Sequence, residues 1–229
     1  MSAILSDTAV LIFALNPADD CRRKKIKRGK VLFSALSKHT ISEVKRTELP
    51  FFHYKGTHQK GNSFGERFAN AIEAIFDQGF QNVITLGNDC PQLTYHHILA
   101  AEKALRAKKN AIAPSLDGGF NLLGIQHQSF KKDMFQELPW QSKTLFSKTL
   151  TYFKLANEVP TMLEAFADID SHLVLSSLLH QVKITSLLLF QIFKNLTSSA
   201  LQKYWYLSKT NTSPIYILPF NKGSPLVFS

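Results

Sequence analysis

Short apolar runs alternate along the chain with longer segments in which apolar residues recur every three or four positions. A run that is apolar at nearly every position is typical of a strand buried on both faces, whereas a spacing of three or four is typical of a helix with one buried face. The first such run is TAVLIFAL at residues 8–15. The predicted strands cover residues 8–15, 49–54, 83–86, 111–114 and 121–125.

Helices are predicted between these strands, and one of them has recognisable ends. Ser63 and Glu66 match a capping box, in which each side chain binds the backbone amide of the other residue. Gly79 is placed to end the same helix in the left-handed conformation. After the first strand, the cationic stretch at residues 22–30 is predicted to be a loop that precedes a helix.

The alternation of strands and helices predicts an α/β fold of three layers, with a mainly parallel sheet covered by helices on both faces. The length of 229 residues suits one substantial domain with at most a small appendage. We assign residues 1–182 to this domain. Residues 183–229 are predicted to be a C-terminal extension packed on the same domain.

The composition favours an anionic partner without naming it. Lysine and arginine number 27 against 17 aspartates and glutamates, a net charge of +10, which attracts nucleotides, nucleic acids or anionic membrane surfaces. Nucleic acid is disfavoured because the basic residues are scattered and no aromatic RNA-binding motif is present. No apolar run approaches the roughly 20 residues of a membrane span. Two isolated cysteines and the lack of a signal-peptide pattern predict a cytoplasmic protein.

Aspartates follow the ends of predicted strands at three places: Asp89, Asp117 and the pair Asp168 and Asp170. Ligands of open parallel sheets bind beyond the carboxyl ends of the strands. Carboxylates gathered there would raise one another's pKa values, and a magnesium or manganese ion removes that penalty. Such an ion takes one or two carboxylates and leaves other positions to phosphate oxygens, so the pattern predicts a site for a nucleoside diphosphate.

Each aspartate taken singly also has a purely structural interpretation. Asp89 before Cys90-Pro91 is typical of a turn, and Asp117-Gly118-Gly119 is typical of a hairpin. The acids at 168 and 170 suit the start of a helix. Their joint placement after strands favours the ligand-site interpretation.

Five segments follow one another in a set order: QKGNSFGER at 59–67, GNDCP at 87–91, DGGF at 117–120, Trp140 and DID at 168–170. Together they resemble the glycosyltransferase-A-like family called radical-SAM/selenodomain-associated transferases. The resemblance extends over about residues 59–175 and implies a nucleotide-diphospho-sugar transferase fold. It also implies that Asp89 and Asp170 occupy the metal-binding positions, with magnesium or manganese as the ion.

The chain departs from the family pattern in two places. Family members commonly carry a proline-glycine, lysine-threonine-arginine loop after the first strand, where this chain has NPADDCRRKK at residues 16–25. The cations at residues 22–25 are candidates to replace the phosphate-binding residues of that loop. Phe120 stands where tyrosine is usual, so a hydroxyl contact made there is absent.

The functional prediction is a metal-dependent glycosyltransferase that binds a nucleotide-diphospho-sugar and transfers the glycosyl group to an acceptor. Asp117 is the predicted catalytic residue, placed to orient an acceptor hydroxyl or to take its proton. The predicted substrate-binding residues are Arg22, Arg67, Asn88, Gly118, Gly119 and Asp168.

Two alternatives stay open on the sequence. The same fold supports nucleotidyl transfer, which releases pyrophosphate, although residues 16–25 contain no glycine of the kind such enzymes carry there. The divergent first loop also suits a non-catalytic relative that binds a nucleotide or a protein. The sequence makes no prediction of the oligomeric state.

Overall fold

A computed structural model of the protein describes residues 6–24, 29–169, 189 and 191–196. The strands are β1 (Thr8–Phe13), β2 (Phe51–Tyr54), β3 (Asn82–Leu86), β4 (Ala111–Pro114), β5 (Phe120–Gln126) and β6 (Thr161–Met162). They form one six-stranded sheet in the order β2-β1-β3-β5-β4-β6. Five strands run in one direction, and β5 runs antiparallel to both of its neighbours. The prediction of a mainly parallel sheet is therefore confirmed.

Helices cover both faces of this sheet, which confirms the three-layer α/β fold. They are α1 (Pro17–Lys24), α2 (Gly29–Lys45), α3 (Phe64–Phe76), α4 (Tyr95–Arg106), α5 (Lys132–Gln136) and α6 (Leu145–Leu155). Residues of α3, α5 and α6 share one core cluster with the sheet, and residues of α2 and α4 share another. None of the described helices is both long and apolar enough to cross a membrane.

Strand β1 contributes to both cores because its side chains alternate between the two faces. Ala9, Leu11 and Phe13 join the cluster under α3, and Val10 and Ile12 join the cluster under α2 and α4. All six residues of β1 are buried, as the continuous apolar run predicts. Strand β1 lies between β2 and β3 and runs parallel to both, so its carboxyl end lies beside theirs at one edge of the sheet.

The loop predicted after β1 is wrong at its start, because the chain folds there into α1. The Asn16 carbonyl accepts hydrogen bonds from the amides of Asp19 at 2.8 Å and Asp20 at 3.0 Å. Pro17 is the first helical residue, and both acids lie in the first turn, where they complement the helix dipole. Helix α1 carries the chain through Lys24, and α2 begins at Gly29.

The predicted capping box before α3 forms by half. The Ser63 hydroxyl accepts from the Glu66 amide at 3.0 Å, as expected. The Glu66 carboxylate, however, accepts from the amide of Asn62 at 2.7 Å, which lies one residue earlier than the box requires. Gly79 has a φ of 95° just after α3, so its predicted role in ending the helix is confirmed.

A third apolar cluster joins α2 to the carboxyl-terminal part of the described chain. Residues 191–196 are helical, and Phe193 packs with Leu189 against the buried face of α2, which includes Leu32 and Phe33. Ile169 belongs to the same cluster. This packing holds the segment after β6 beside α1 and α2, at the edge of the sheet where β1 ends.

Candidate functional site

A cavity of about 480 Å³ opens at the carboxyl ends of β1 and β3, beside the turn between β4 and β5. This is the edge at which open α/β sheets bind their ligands. The lining has two parts, which we name by their chemistry. The acidic half consists of Asp20, Lys24, Asn88, Asp89, Asn121 and Asp168, and the aromatic half consists of Phe13, Phe64, Phe68, Phe120 and Trp140.

A lysine and an aspartate from distant segments meet in the acidic half. The Lys24 ammonium donates to Asp89 Oδ2 at 2.6 Å and to the Ile169 carbonyl at 2.7 Å. The Lys24 side chain is only 11% exposed. Because Asp20 and Lys24 are four residues apart on α1, they share one face of the helix, and both line the cavity.

Asp168 lies deeper, in a network of neutral donors. The Ser115 hydroxyl donates to Asp168 Oδ2 at 3.0 Å, and the Asn121 side-chain amide donates to Asp168 Oδ1. Burial, together with the nearby charge of Asp89, raises the pKa of Asp168 to about 8. The charge of Asp89 therefore acts on Asp168, although the two residues are distant along the chain.

One buried acceptor in this network has no partner. Asn121 is 6% exposed, and its Oδ1 atom makes no hydrogen bond within the described residues. A buried acceptor without a partner costs roughly 1–3 kcal/mol. Since Asn121 lines the cavity, a ligand or an ion that enters the cavity can relieve this cost.

Asn88, a predicted substrate-binding residue, lines the cavity, but its side-chain amide donates hydrogen bonds to other protein side chains. Its Nδ2 donates to Ser37 Oγ at 2.8 Å and to Asp20 Oδ2 at 3.4 Å. These bonds connect the loop after β3 to α1 and α2. Asn88 thereby helps to position Asp89, the next residue, within the acidic half.

The turn between β4 and β5 brings Asp117 and Gly119 to the cavity. Asp117 is exposed, and its Oδ1 accepts from the Gly119 amide at 3.0 Å. Gly118 does not line the cavity. It has a φ of 99°, and a Cβ atom there would lie 2.2 Å from the Lys143 carbonyl oxygen, so only glycine fits.

Trp140 is the centre of the aromatic half. Its ring centroid lies 5.1 Å from that of Phe68, 5.5 Å from Phe64 and 5.9 Å from Phe120. The indole Nε1 donates to the Phe135 carbonyl at 3.1 Å. The aromatic half is an extension of the core cluster under α3, because Phe13 and Phe68 are members of that cluster and the other three pack against it.

The predicted cations have different positions. Arg67 lines the cavity and donates to the Asn62 carbonyl at 3.4 Å. The side chain of Arg22 is 80% exposed, pairs with Asp19 and is not part of the cavity lining. Lys24, from the same cationic run, lines the cavity from the end of α1. Among the described residues, the charged lining thus consists of four aspartates, at 20, 89, 117 and 168, and of the cations Lys24, Arg67 and Lys143.

Asp170, the second predicted metal ligand, lies outside the described residues. Within the described part of the chain, no three His, Cys, Asp or Glu side chains converge as a metal site. The donors that do line the acidic half are nevertheless of the kind that magnesium and manganese prefer, namely the carboxylates of Asp89 and Asp168 and the unpartnered Asn121 amide oxygen. The donor chemistry therefore fits a hard divalent cation.

Sequence reasoning missed Lys24 and Asn121 as individual site residues. A signal for Lys24 was present, since Asn16-Pro17 followed by two acids is typical of a helix start, and a helix there places Asp20 and Lys24 on one face. Asn121 directly follows the DGGF segment, but its burial and its missing partner depend on tertiary contacts that no local pattern encodes.

The strand order and the helices on both faces of the sheet define a three-layer α/β protein, and a solved structure shares this fold. The crystal structure of a protein from Desulfovibrio desulfuricans G20, named a "putative nucleotide-diphospho-sugar transferase", superposes with a TM-score of 0.72 at 19% sequence identity. The match covers 85% of this chain and 98% of that one, and at this identity it concerns the fold alone.

The chain belongs to the family described as "Uncharacterized protein conserved in bacteria (DUF2064)", whose model matches residues 19–142. None of the curated proteins matches the chain. The narrower resemblance to radical-SAM/selenodomain-associated transferases stays a prediction.

Proposed function

We propose that the protein is a glycosyltransferase that binds a nucleotide-diphospho-sugar together with a magnesium or manganese ion. The observation that carries the proposal is the convergence of Asp89, Asp117 and Asp168 on one cavity at the carboxyl edge of the sheet. The fold similarity to a protein named as a transferase of nucleotide-diphospho-sugars supports the same assignment.

The charge of the lining supports metal dependence. Among the described residues the lining has three cations and four aspartates, and one of these, Asp168, has a raised pKa, so these side chains offer a diphosphate no net positive charge. A divalent cation held by carboxylates of this lining would add the positive charge that a diphosphate needs. Asp89 and Asp170 are the proposed ligands, with Asn121 Oδ1 as an available hard donor. The ion would neutralise the negative charge that develops on the departing nucleoside diphosphate.

The remaining roles follow from position. Arg67 lies at the cavity wall, where its guanidinium can contact phosphate oxygens. The aromatic half offers flat apolar surfaces of the kind on which bases and sugar rings stack. Asp117, on the exposed turn, is the proposed base: the acceptor oxygen bonds to the anomeric carbon, the bond from that carbon to the diphosphate breaks, and the acceptor proton passes to Asp117.

A thermal-shift panel of nucleoside diphosphates and nucleotide-sugars, each with manganese or with EDTA, tests this function. A ligand that binds the native state raises the melting temperature, so we expect a rise with one base and only with manganese. Incubation with the best nucleotide-sugar should then release a nucleoside diphosphate. Release of pyrophosphate from a nucleoside triphosphate would indicate nucleotidyl transfer instead, and a panel with no shift would contradict nucleotide binding.

A further inference from the structure

The Lys24 ammonium occupies a defined position between two chain segments that are far apart in sequence. It lies 2.6 Å from Asp89 Oδ2 and 2.7 Å from the Ile169 carbonyl oxygen. It also lies 5.5 Å from the centroid of the Phe33 ring, within the range of a cation–π contact. With a side chain that is 11% exposed, Lys24 is a largely desolvated and well-positioned cation.

Asp89 is also the carboxylate that the proposed function assigns to the divalent cation. An ammonium and a divalent cation on the same carboxylate repel each other, and the repulsion is stronger in a partly buried site than in water. The two cations therefore compete for Asp89. A bound diphosphate changes this competition, because its oxygens offer the flexible lysine side chain a second anionic partner.

We propose that Lys24 is an internal counter-cation that competes with the divalent cation for Asp89 and exchanges Asp89 for a phosphate oxygen when a nucleotide binds. This inference rests on the metal position in the proposed function. It implies that the protein without nucleotide binds magnesium or manganese weakly, although its acidic half contains suitable donors. Metal binding then depends on the presence of the nucleotide.

The test is a calorimetric titration of manganese into the full chain without nucleotide, comparing wild type with Lys24→Met. Removal of the competing ammonium should lower the dissociation constant of manganese on the order of tenfold. This is the effect expected when one close charge–charge repulsion is removed from a partly buried site. Lys24→Arg keeps the charge and should bind manganese as weakly as wild type. If Lys24→Met binds manganese no more tightly than wild type, the proposal is overturned.

Lys143→Met is the matched control, because Lys143 lines the same cavity and its replacement changes the net charge equally. We expect it to leave manganese affinity within about twofold of wild type, since general charge effects at an exposed position are screened. An equal gain in Lys143→Met and Lys24→Met would overturn the proposal. The gain should also disappear in the double variant Lys24→Met, Asp89→Asn, and a gain that persists there would contradict competition at Asp89.

The test of competition at Asp89 can fail or succeed independently of the test of the proposed function. Tighter manganese binding by Lys24→Met, with no nucleotide shifting the wild-type melting temperature, supports the competition and contradicts the transferase. A manganese-dependent nucleotide shift, with no gain in Lys24→Met, supports nucleotide binding and contradicts the competition. Far-ultraviolet circular dichroism of each variant shows that the comparison is made between folded proteins.

Discussion

The two halves of the cavity are held in place by different interactions. The aromatic half belongs to the larger core: Trp140 packs on Phe64 and Phe68, and these rings continue into the cluster under α3. The acidic half is assembled from polar residues of α1, of the loop after β3 and of the segment after β6, joined by contacts such as Lys24 to Asp89. Changes in the acidic half should therefore alter ligand binding with little effect on folding, whereas changes in the aromatic half should alter both.

The largest loss of stability is expected from a substitution in the turn between β4 and β5, where the turn contacts the segment that carries Trp140. Gly118→Ala places a Cβ atom 2.2 Å from the Lys143 carbonyl oxygen in a residue whose φ is 99°. The left-handed conformation and the backbone clash together should lower the free energy of unfolding by about 3 kcal/mol. Chemical denaturation measures this loss, and ligand binding should fall with it.

Gly79→Ala is the control for Gly118→Ala. Gly79 also has a left-handed φ, of 95°, but a Cβ atom there meets nothing within 4 Å. Its substitution should lower the free energy of unfolding by about 1 kcal/mol, because only the strain of alanine in the left-handed conformation is added. If both variants lose the same free energy of unfolding, the close contact between Gly118 and the Lys143 carbonyl does not contribute to stability.

The next largest effect concerns Asp89, in the acidic half. Asp89→Asn removes the carboxylate proposed to face the divalent cation, and nucleoside diphosphate affinity with manganese should fall about a hundredfold. The free energy of unfolding should change by about 1 kcal/mol or less, because asparagine can still accept from Lys24 and the Asp89 side chain is 32% exposed. Thermal shift with added ligand and denaturation without ligand separate the two quantities.

Asp117→Asn provides the charge-matched comparison for Asp89→Asn. Asp117 is exposed on its turn, so its loss should leave nucleoside diphosphate affinity within about threefold. Turnover of a nucleotide-sugar should nevertheless slow if Asp117 is the base. An affinity loss as large as that of Asp89→Asn would contradict the separate roles of the two aspartates.

A smaller effect on both properties is expected in the aromatic half. Trp140→Ala should lower the free energy of unfolding by about 2 kcal/mol, less than for a fully buried tryptophan because Trp140 is half-buried. Binding of a nucleotide-sugar should weaken in parallel. Trp140→Phe keeps an aromatic ring and should recover most of the lost stability and most of the lost affinity. If Trp140→Ala loses affinity but no stability, the link between the aromatic half and the core is contradicted.

The smallest effect on stability and on ligand binding is expected at Arg22. The sequence predicts that Arg22 binds substrate, whereas in the structure it lies outside the cavity lining. Arg22→Ala removes an exposed ion pair with Asp19 that lies outside the cavity lining. Such pairs contribute little, so stability should change by about 0.5 kcal/mol or less and diphosphate affinity by about twofold or less. A tenfold loss of affinity in a calorimetric titration would restore Arg22 as a phosphate contact.

Elements with a strong local pattern could be predicted from the sequence. The apolar stripe and Ser63 cap predict α3, and the Asp117-Gly118-Gly119 turn predicts the antiparallel β4–β5 pair. Helix α1 differs from the prediction, which places a loop at residues 22–30, because Asn16 and Pro17 begin a helix that runs through Lys24. Tertiary contacts decide such ambiguous positions, which a short window of sequence does not contain.

The candidate site was predictable to a similar extent. Acids that follow strands can be expected at one sheet edge, and the structure brings Asp89, Asp117 and Asp168 to one cavity, where their roles remain predictions. The partners of these residues were not predictable, because Lys24 reaches Asp89 across 65 positions and Asn121 reaches Asp168 across 47. Such contacts follow from the order of strands in the sheet rather than from local spacing.

The most direct test of the central claim is a calorimetric titration of the nucleoside diphosphate selected by the thermal-shift panel into wild-type protein, once with manganese and once with EDTA. We expect binding at least about tenfold tighter with manganese, because the ion would add positive charge to a lining whose described side chains supply no net positive charge. Equal affinity in the two titrations would contradict the claim that a divalent cation joins the diphosphate to the acidic half of the cavity.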